Sequence, residues 1–228
     1  MTQQPPQQFS GEESPSSRSY PAEYRLNPLD QQISTLGTVF PRLADVATAT
    51  GSTLPAGAEG WFAVPRWEAL APTYNEAVGL VLAALTGTRD TSLWRIDRLG
   101  PDHLRQHERT RAKFASVHTG ETPIIAVAAQ FGLRHRGRSI RHARERFEAR
   151  EYGLGVFAIA CMLLTHPERL RQANQLYVDC AGDEYSASDE EQFSEAPFFR
   201  FIDGRVGFGT SWIGYVDPYF GSASAFIP

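Results

Sequence analysis

Between Gln130 and Phe147 the chain reads QFGLRHRGRSIRHARERF. Six arginines and two histidines fall from Arg134 to Arg146, against one acid, Glu145. Arginine carries five N–H donors in a planar fork that matches phosphate or carboxylate oxygens two at a time. Arg134, His135, Arg136 and Arg138 crowd the point where an apolar run, 124–129, gives way to a segment that Ser139 can cap as a helix from Ile140. A helix start offers unpaired backbone N–H groups, and Gly132 and Gly137 allow the backbone to come close to a ligand. Arg134, His135, Arg136, Gly137, Arg138 and Ser139 are therefore the expected anion-binding set, with phosphate as the natural guest. The loop fits neither GxxxxGK[ST] nor GxGxxG, so it carries no nucleotide-binding motif. A second expectation competes for the same side chains: that they pair internally with Asp183, Glu184 and the acids at 189–191.

The stretch DCAGDEY, residues 179–185, follows a short apolar segment, and strand ends are where ligand crevices open in α/β sheets. Asp179, Asp183 and Glu184 could offer oxygen ligands to Mg²⁺ or Mn²⁺, and arginines beside them would suit phosphodiester cleavage. The spacing is not diagnostic, and carboxylates after a strand commonly form turns, so no cofactor is the leading expectation. Cys180 with His135 would make a nucleophile and base only if the fold joined them; a structural cysteine is the simpler role. His103 and His107 stand one helical turn apart without a third ligand in view. Trp61, Trp67, Trp94 and Trp212 are scattered, and packing is their expected role. Arg200, Arg205, Ser211 and Trp212 fall together on the expected hairpin, and a Trp212 exposed beside arginines would favour single-stranded nucleic acid.

Charge is unevenly distributed. The net is −4 over residues 1–88, +7 over 89–150 and −7 over 151–228. This pattern suits a polyanion partner for the middle of the chain, or pairing of the middle with the end. Arginine supplies all the basic residues but Lys113; the abundance of alanine makes genomic base composition a competing cause. Two cysteines, Cys161 and Cys180, give neither a disulfide framework nor a zinc spacing, and a reducing, cytoplasmic location is expected. The N-terminus lacks the basic-then-apolar order of a signal peptide. The longest apolar stretch, Val156 to Leu164, is far short of the roughly 20 residues that span a bilayer.

The elements that must position these groups follow from local pattern. Residues 1–24, rich in Gln, Pro, Ser and Glu, are expected to be a disordered tail. Asn27-Pro28 suggests a helix start, with helix over 30–49 interrupted near Pro41. Trp61–Val64 suits a strand. Thr73-Tyr74-Asn75-Glu76 matches a capping box and opens a helix with Tyr74, Ala77, Val78, Val81, Leu82 and Leu85 on one face. A polar helix is expected over 102–117, a doubly covered strand over 124–129, and a buried helix over 153–165. A shorter helix over 168–175 and a strand over 176–180 come next, then an acidic loop over 183–195. Asp203-Gly204 between Phe198–Ile202 and Arg205–Trp212 signals a two-residue hairpin. The final segment is expected to be irregular.

The sum is one α+β domain over residues 25–228, a mixed sheet flanked by helices and closed by a C-terminal hairpin. Its expected function is binding a phosphate-bearing ligand or nucleic acid, without a membrane. Two alternatives are a metal-dependent phosphoesterase or nuclease on Asp179, Asp183 and Glu184, and a protein-interaction module whose basic loop only braces an acidic segment.

Overall fold

The computed structural model describes residues 11–44, 53–117, 122–188 and 192–228. In chain order the elements are α1 (Leu29–Val39), β1 (Gly60–Pro65), α2 (Tyr74–Thr88), β2 (Thr91–Leu93), β3 (Leu104–Gln106), α3 (Glu108–Val117), β4 (Ile124–Gln130), α4 (Ile140–Arg146), β5 (Glu151–Gly153), α5 (Val156–Thr165), β6 (Tyr177–Asp179), β7 (Asp183–Tyr185), β8 (Glu195–Ile202), β9 (Arg205–Trp212), β10 (Phe220–Ser222) and β11 (Ser224–Phe226). The α+β reading holds, with the strands in two sheets rather than one. The first is antiparallel throughout, in the order β1-β4-β11-β5. The second is mixed: β10-β6-β8-β7-β3 forms its spine, and β9 links β8 to β2. Its parallel pairs are β10 with β6 and β2 with β9.

Helix α2 starts at the capping box. The Thr73 side chain accepts from the Glu76 N–H while the Glu76 carboxylate accepts from the Thr73 N–H. Ala77, Val78, Val81, Leu82 and Leu85 form its buried face. Helix α5 is apolar all round because it is covered all round, by α2, α1 and β1. One continuous hydrophobic cluster joins these helices to both sheets. Asp203 and Gly204 both take positive φ, 52° and 78°, which lets the tight turn follow the right-handed twist of β8 and β9. Phe199 then pairs with Phe208 and Phe201 with Val206, on the buried side of the hairpin.

Several segments differ from their sequence pattern. The polar stretch 102–117 divides into β3 and α3, because Leu104 is buried opposite Tyr185 as β3 pairs with β7. The expected helix over 168–175 is one 3₁₀ turn, Pro167–Arg169. Helix α1 starts at Leu29 without a side-chain cap; Asn27 instead donates its amide to the Thr165 carbonyl, at 2.7 Å. Part of the expected acidic loop is strand β7. The terminal segment supplies β10 and β11, and β11 lies between β4 and β5. Its residues, Ser-Ala-Phe, carry too little pattern to betray a central strand.

The N-terminal expectation changes as well. Residues 11–24 lie along the domain and are hydrogen-bonded to it. The Ser14 N–H donates to Gly137 at 2.7 Å, the Leu176 N–H to Ser19 at 3.0 Å, and the Tyr20 hydroxyl to Glu59 at 2.5 Å. Composition misled here because the segment gains order from partners far along the chain, not from its own apolar content. Residues 1–10, and the acids at 189–191, lie outside the described residues.

Candidate functional sites

The arginine loop forms as expected and then closes on itself. β4 leads into a 3₁₀ turn at Leu133–His135, and Ser139 caps α4 by accepting from the His142 N–H at 3.1 Å. Gly137 has φ +75°, and a Cβ there would collide with the Ser14 carbonyl oxygen. That contact holds an N-terminal strap across the loop. Glu12 accepts from the Ser139 hydroxyl at 2.5 Å and from both Nε and a terminal nitrogen of Arg141. The Arg141 hydrogen bonds, with the one from Ser139, hold the Glu12 carboxyl below the usual range. Arg138 holds Glu13 down likewise, with its Nε 3.2 Å from that carboxylate. Arg134 pairs with Glu148 and lies 3.5 Å from Glu151. His135 Nε2 is 2.7 Å from the buried Glu151 carboxylate, which also accepts from Ser224 at 2.5 Å. Since Arg138 can only donate to His135 Nδ1, at 3.2 Å, His135 donates to Glu151 through Nε2. Arg136, exposed, donates to the Arg18 carbonyl at 3.1 Å.

The loop proposed from sequence as an open anion site is thus paired internally. Its partners among the described residues are Glu12, Glu13, Glu148 and Glu151, and not Asp183 or Glu184; the acids at 189–191 lie outside the described residues. Of the arginines between 134 and 146, Arg144 reaches Asp183, through the backbone: it donates to the carbonyls of Ala181 and Asp183.

Asp179, Asp183 and Glu184 are not gathered into a ligand set. Neighbours along a strand point to opposite faces, and β7 sends Asp183 inward and Glu184 outward. Asp183 is fully buried. It accepts from the Tyr74 hydroxyl (2.9 and 2.7 Å) and from the Val156 N–H (2.7 Å), capping α5 from a distant part of the chain. The cap at this end, Gly155, has no side chain, and any Cβ there would strike the Asp183 carboxylate. Burial pushes the Asp183 carboxyl up to about 7, against these hydrogen bonds. Asp179 is buried too and is pushed up to about 8 by burial and by Asp217. Glu184 pairs with Arg105 at 2.8 Å. Among the described residues no three His, Cys, Asp or Glu side chains are close enough together to hold a metal ion. Cys180 is buried, its thiol pushed well up by burial and by Asp183 and Asp179, which denies it a thiolate. His107 caps α3 by accepting from the Arg109 N–H, so the pair His103 and His107 does not share one helix face.

The hairpin that carries Arg200 and Trp212 holds a groove the sequence did not reveal, on the open face of β8 and β9 around Arg200. Phe198 and Arg200 sit opposite Gly209 and Gly207. A Cβ at Gly209 would come within 3.0 Å of the Phe198 ring, and one at Gly207 within 3.3 Å of the Arg200 chain. The two glycines therefore let both side chains lie flat across the neighbouring strand. They floor a groove of about 550 Å³, walled by Trp94, Ile202, Tyr215 and Phe220. Trp94, Ile202 and Tyr215 are three of the eight large apolar side chains that stand exposed among the described residues. Arg200 is half-buried and its guanidinium is 5.5 Å from the Phe198 ring; the side chain has no hydrogen bond or ion pair among the described residues. Asp217, also in the groove, is engaged by the Tyr215 hydroxyl and the Tyr219 N–H. The signal in the sequence was the alternation Phe198-x-Arg200 against Gly207-x-Gly209, legible only once the hairpin register is fixed. Trp212 is exposed but outside this groove, with Arg141 5.2 Å from its ring.

Compared with family models, curated proteins and solved structures, the chain matches none. The fold and the two arginine sites define an α+β protein in which one basic cluster is braced internally and another guanidinium lies open in an aromatic groove. Among the described residues no helix is long and apolar enough to cross a membrane.

Proposed function

We propose that the protein is a binding protein, and that its guest is a compound or segment carrying an apolar ring beside an anionic group, phosphate or carboxylate. The observation that carries this reading is Arg200. It is a half-buried guanidinium whose donors have no partner among the described residues, in a groove whose lining is mainly aromatic and aliphatic, with Asp217 and the hydroxyls of Ser92, Thr210 and Ser211 among its other polar groups. Ligand sites combine an apolar lining with a few convergent polar groups, at volumes of roughly 300–1,000 Å³. The ring would lie against Phe198 and Trp94, and the anion would take the Arg200 fork two oxygens at a time. The phosphate-bearing ligand expected from the sequence is thereby moved from loop 134–139 to the hairpin face. Internal pairing of that loop also supports a protein-interaction role, in which the guest is a partner's side chain of the same chemistry.

Phenyl phosphate is the simplest probe. Titrated while Trp fluorescence is followed, it should saturate at roughly millimolar concentration, given what so few atoms can contribute. The change should vanish in Trp94→Phe, and the affinity should fall at least tenfold in Arg200→Gln. Equal affinity in Arg200→Gln sinks the proposal.

A further inference from the structure

We infer that Arg138 and His142 form a second anion site, for a single phosphate group, which Glu13 occupies from within the chain and can vacate. The two carboxylates of the strap differ in how well they are held. Glu12 is mostly enclosed and accepts hydrogen bonds from Ser139 and Arg141. Glu13 is half exposed. Its carboxylate lies 3.2 Å from Arg138 Nε and 3.5 Å from His142 Nε2. Yet Arg138 Nε has no hydrogen-bond partner of good geometry, although it is buried, and the same is true of His142 Nδ1. An unsatisfied buried donor costs free energy. The carboxylate of Glu13 thus supplies the charge this position requires without supplying the geometry.

A phosphate has more acceptor oxygens, set tetrahedrally, and carries up to twice the charge. It can accept from Arg138 Nε, and from His142 Nε2 when the ring carries its proton there in place of the Arg146 Nε–H that this nitrogen now accepts at 3.4 Å. No large rearrangement is needed for it to enter. The backbone of the strap is held independently, by the Ser14 N–H on Gly137, the Ser139 N–H on the Glu12 carbonyl, and the Ser16 hydroxyl on Pro218. Only the exposed Glu13 side chain has to rotate away. The groups facing this position are Arg138 from the loop, His142, Glu145 and Arg146 from α4, the last donating to His142 Nε2, and Glu12 beside it on the strap. Glu145, 3.7 Å from His142 Nδ1, disfavours a large polyanion and leaves room for one phosphoryl group. The site is separate from the groove at Arg200 and does not depend on it.

Inorganic phosphate is the probe, with chloride at matched ionic strength as the control. Calorimetric titration should show binding to the full chain, at least tenfold tighter in Glu13→Ala, and lost in Glu13→Ala combined with Arg138→Gln. Arg200→Gln should leave all three results unchanged. Thermal melts of each variant confirm folding; because Glu13 is half exposed, Glu13→Ala is expected to melt close to the parent. Should Glu13→Ala bind phosphate no more tightly than the parent, or should Arg138→Gln leave the gain intact, the inference is wrong. A gain seen equally with sulfate assigns the site to tetrahedral anions in general and overturns its assignment to phosphate.

Discussion

Replacing Asp183 by alanine tests whether this residue is a structural cap and not part of a metal centre. The substitution removes the acceptor for two buried donors, the Val156 N–H and the Tyr74 hydroxyl. Loss of a helix cap costs about 1 kcal/mol, and each buried donor left unpaired about 1–3 kcal/mol. Relief from burying a carboxyl whose ionisation is pushed up to about 7 offsets part of that. The balance is about 3 kcal/mol, which for a chain of this size lowers the melting temperature by roughly 6–12 °C. Asp183→Asn keeps one acceptor oxygen and should cost about 1 kcal/mol. The two variants also differ from the parent in pH response. The native carboxyl holds its proton more tightly than the unfolded one, so its contribution to stability is complete below 3.8 and is lost as pH rises through about 7. Calorimetric scans at pH 5.5 and 8 should show the parent losing stability at the higher pH, and Asp183→Asn losing less of it. If Asp183→Ala melts within 2 °C of the parent, the capping argument fails.

Asp179, pushed up to about 8, adds a slope of the same sign, so Asp179→Asn should raise the melting temperature at pH 8 more than at pH 5.5. His166 acts oppositely: burial lowers it to about 4, and its contribution, complete above 6.5, is lost as pH falls through 4. Melts between pH 6.5 and 4 should therefore improve in a His166→Gln variant relative to the parent at the acid end. Glu12→Gln weakens the hydrogen bonds from Arg141 and Ser139 and should lower stability by about 1–2 kcal/mol. Glu13→Gln, at a half-exposed ion pair, should change it by less than about 1 kcal/mol. Differential scanning fluorimetry of the two side by side decides whether the strap is held as unevenly as its geometry indicates.

Local chemistry was readable wherever it is short-ranged. The capping box at Thr73, the Ser139 cap and the Asp203-Gly204 turn each involve groups within four residues of one another, and each forms as the pattern implies. The buried character of α5 was visible because no polar face interrupts it. What stayed hidden was pairing over long separations. Nothing near Ser224-Ala225-Phe226 reveals that it fills the space between β4 and β5, with register partners about 95 and 72 residues away. Glu12 and Glu13 looked like solvated tail residues, and their partners lie more than 120 residues on. The basic loop was correctly seen as demanding carboxylates or phosphates, but the sequence offered no means of choosing which acids would arrive. For Arg200 the obstacle was subtler: a lone arginine between two phenylalanines looks like an ordinary strand residue until the facing glycines are known.

The excess of arginine over lysine has a structural use that bears on function. Arg169, buried beneath Tyr20 and Phe131, donates to the carbonyls of Leu176 (2.7 Å) and Phe131 (3.0 Å). Arg109 serves the carbonyls of Phe147, Glu148 and Glu151, and Arg144 those of Ala181 and Asp183. Arg42, Arg66 and Arg18 bind carbonyls of Leu70, Thr122 and Asn174. Most of these carbonyls belong to connections between short elements, and those of Glu151 and Asp183 to the first residues of three-residue strands; an unpaired one would be costly. A planar fork reaches two or three such oxygens at once; an ammonium on a flexible stem does not. Positive charge in this chain is therefore poor evidence for a polyanion partner, because so much of it is committed to the backbone. It is the departure from that rule that carries information. In the hairpin groove, Arg200 has the same fork, is half withdrawn from water, and lies against aromatic surface; among the described residues no carbonyl or carboxylate receives it, the groove's Asp217 being engaged by Tyr215 and Tyr219. Single nitrogens such as Arg138 Nε and Arg169 Nε also lack a partner, but those forks each reach an acceptor through another nitrogen, whereas the Arg200 fork reaches none among the described residues and is left for an acceptor supplied from outside.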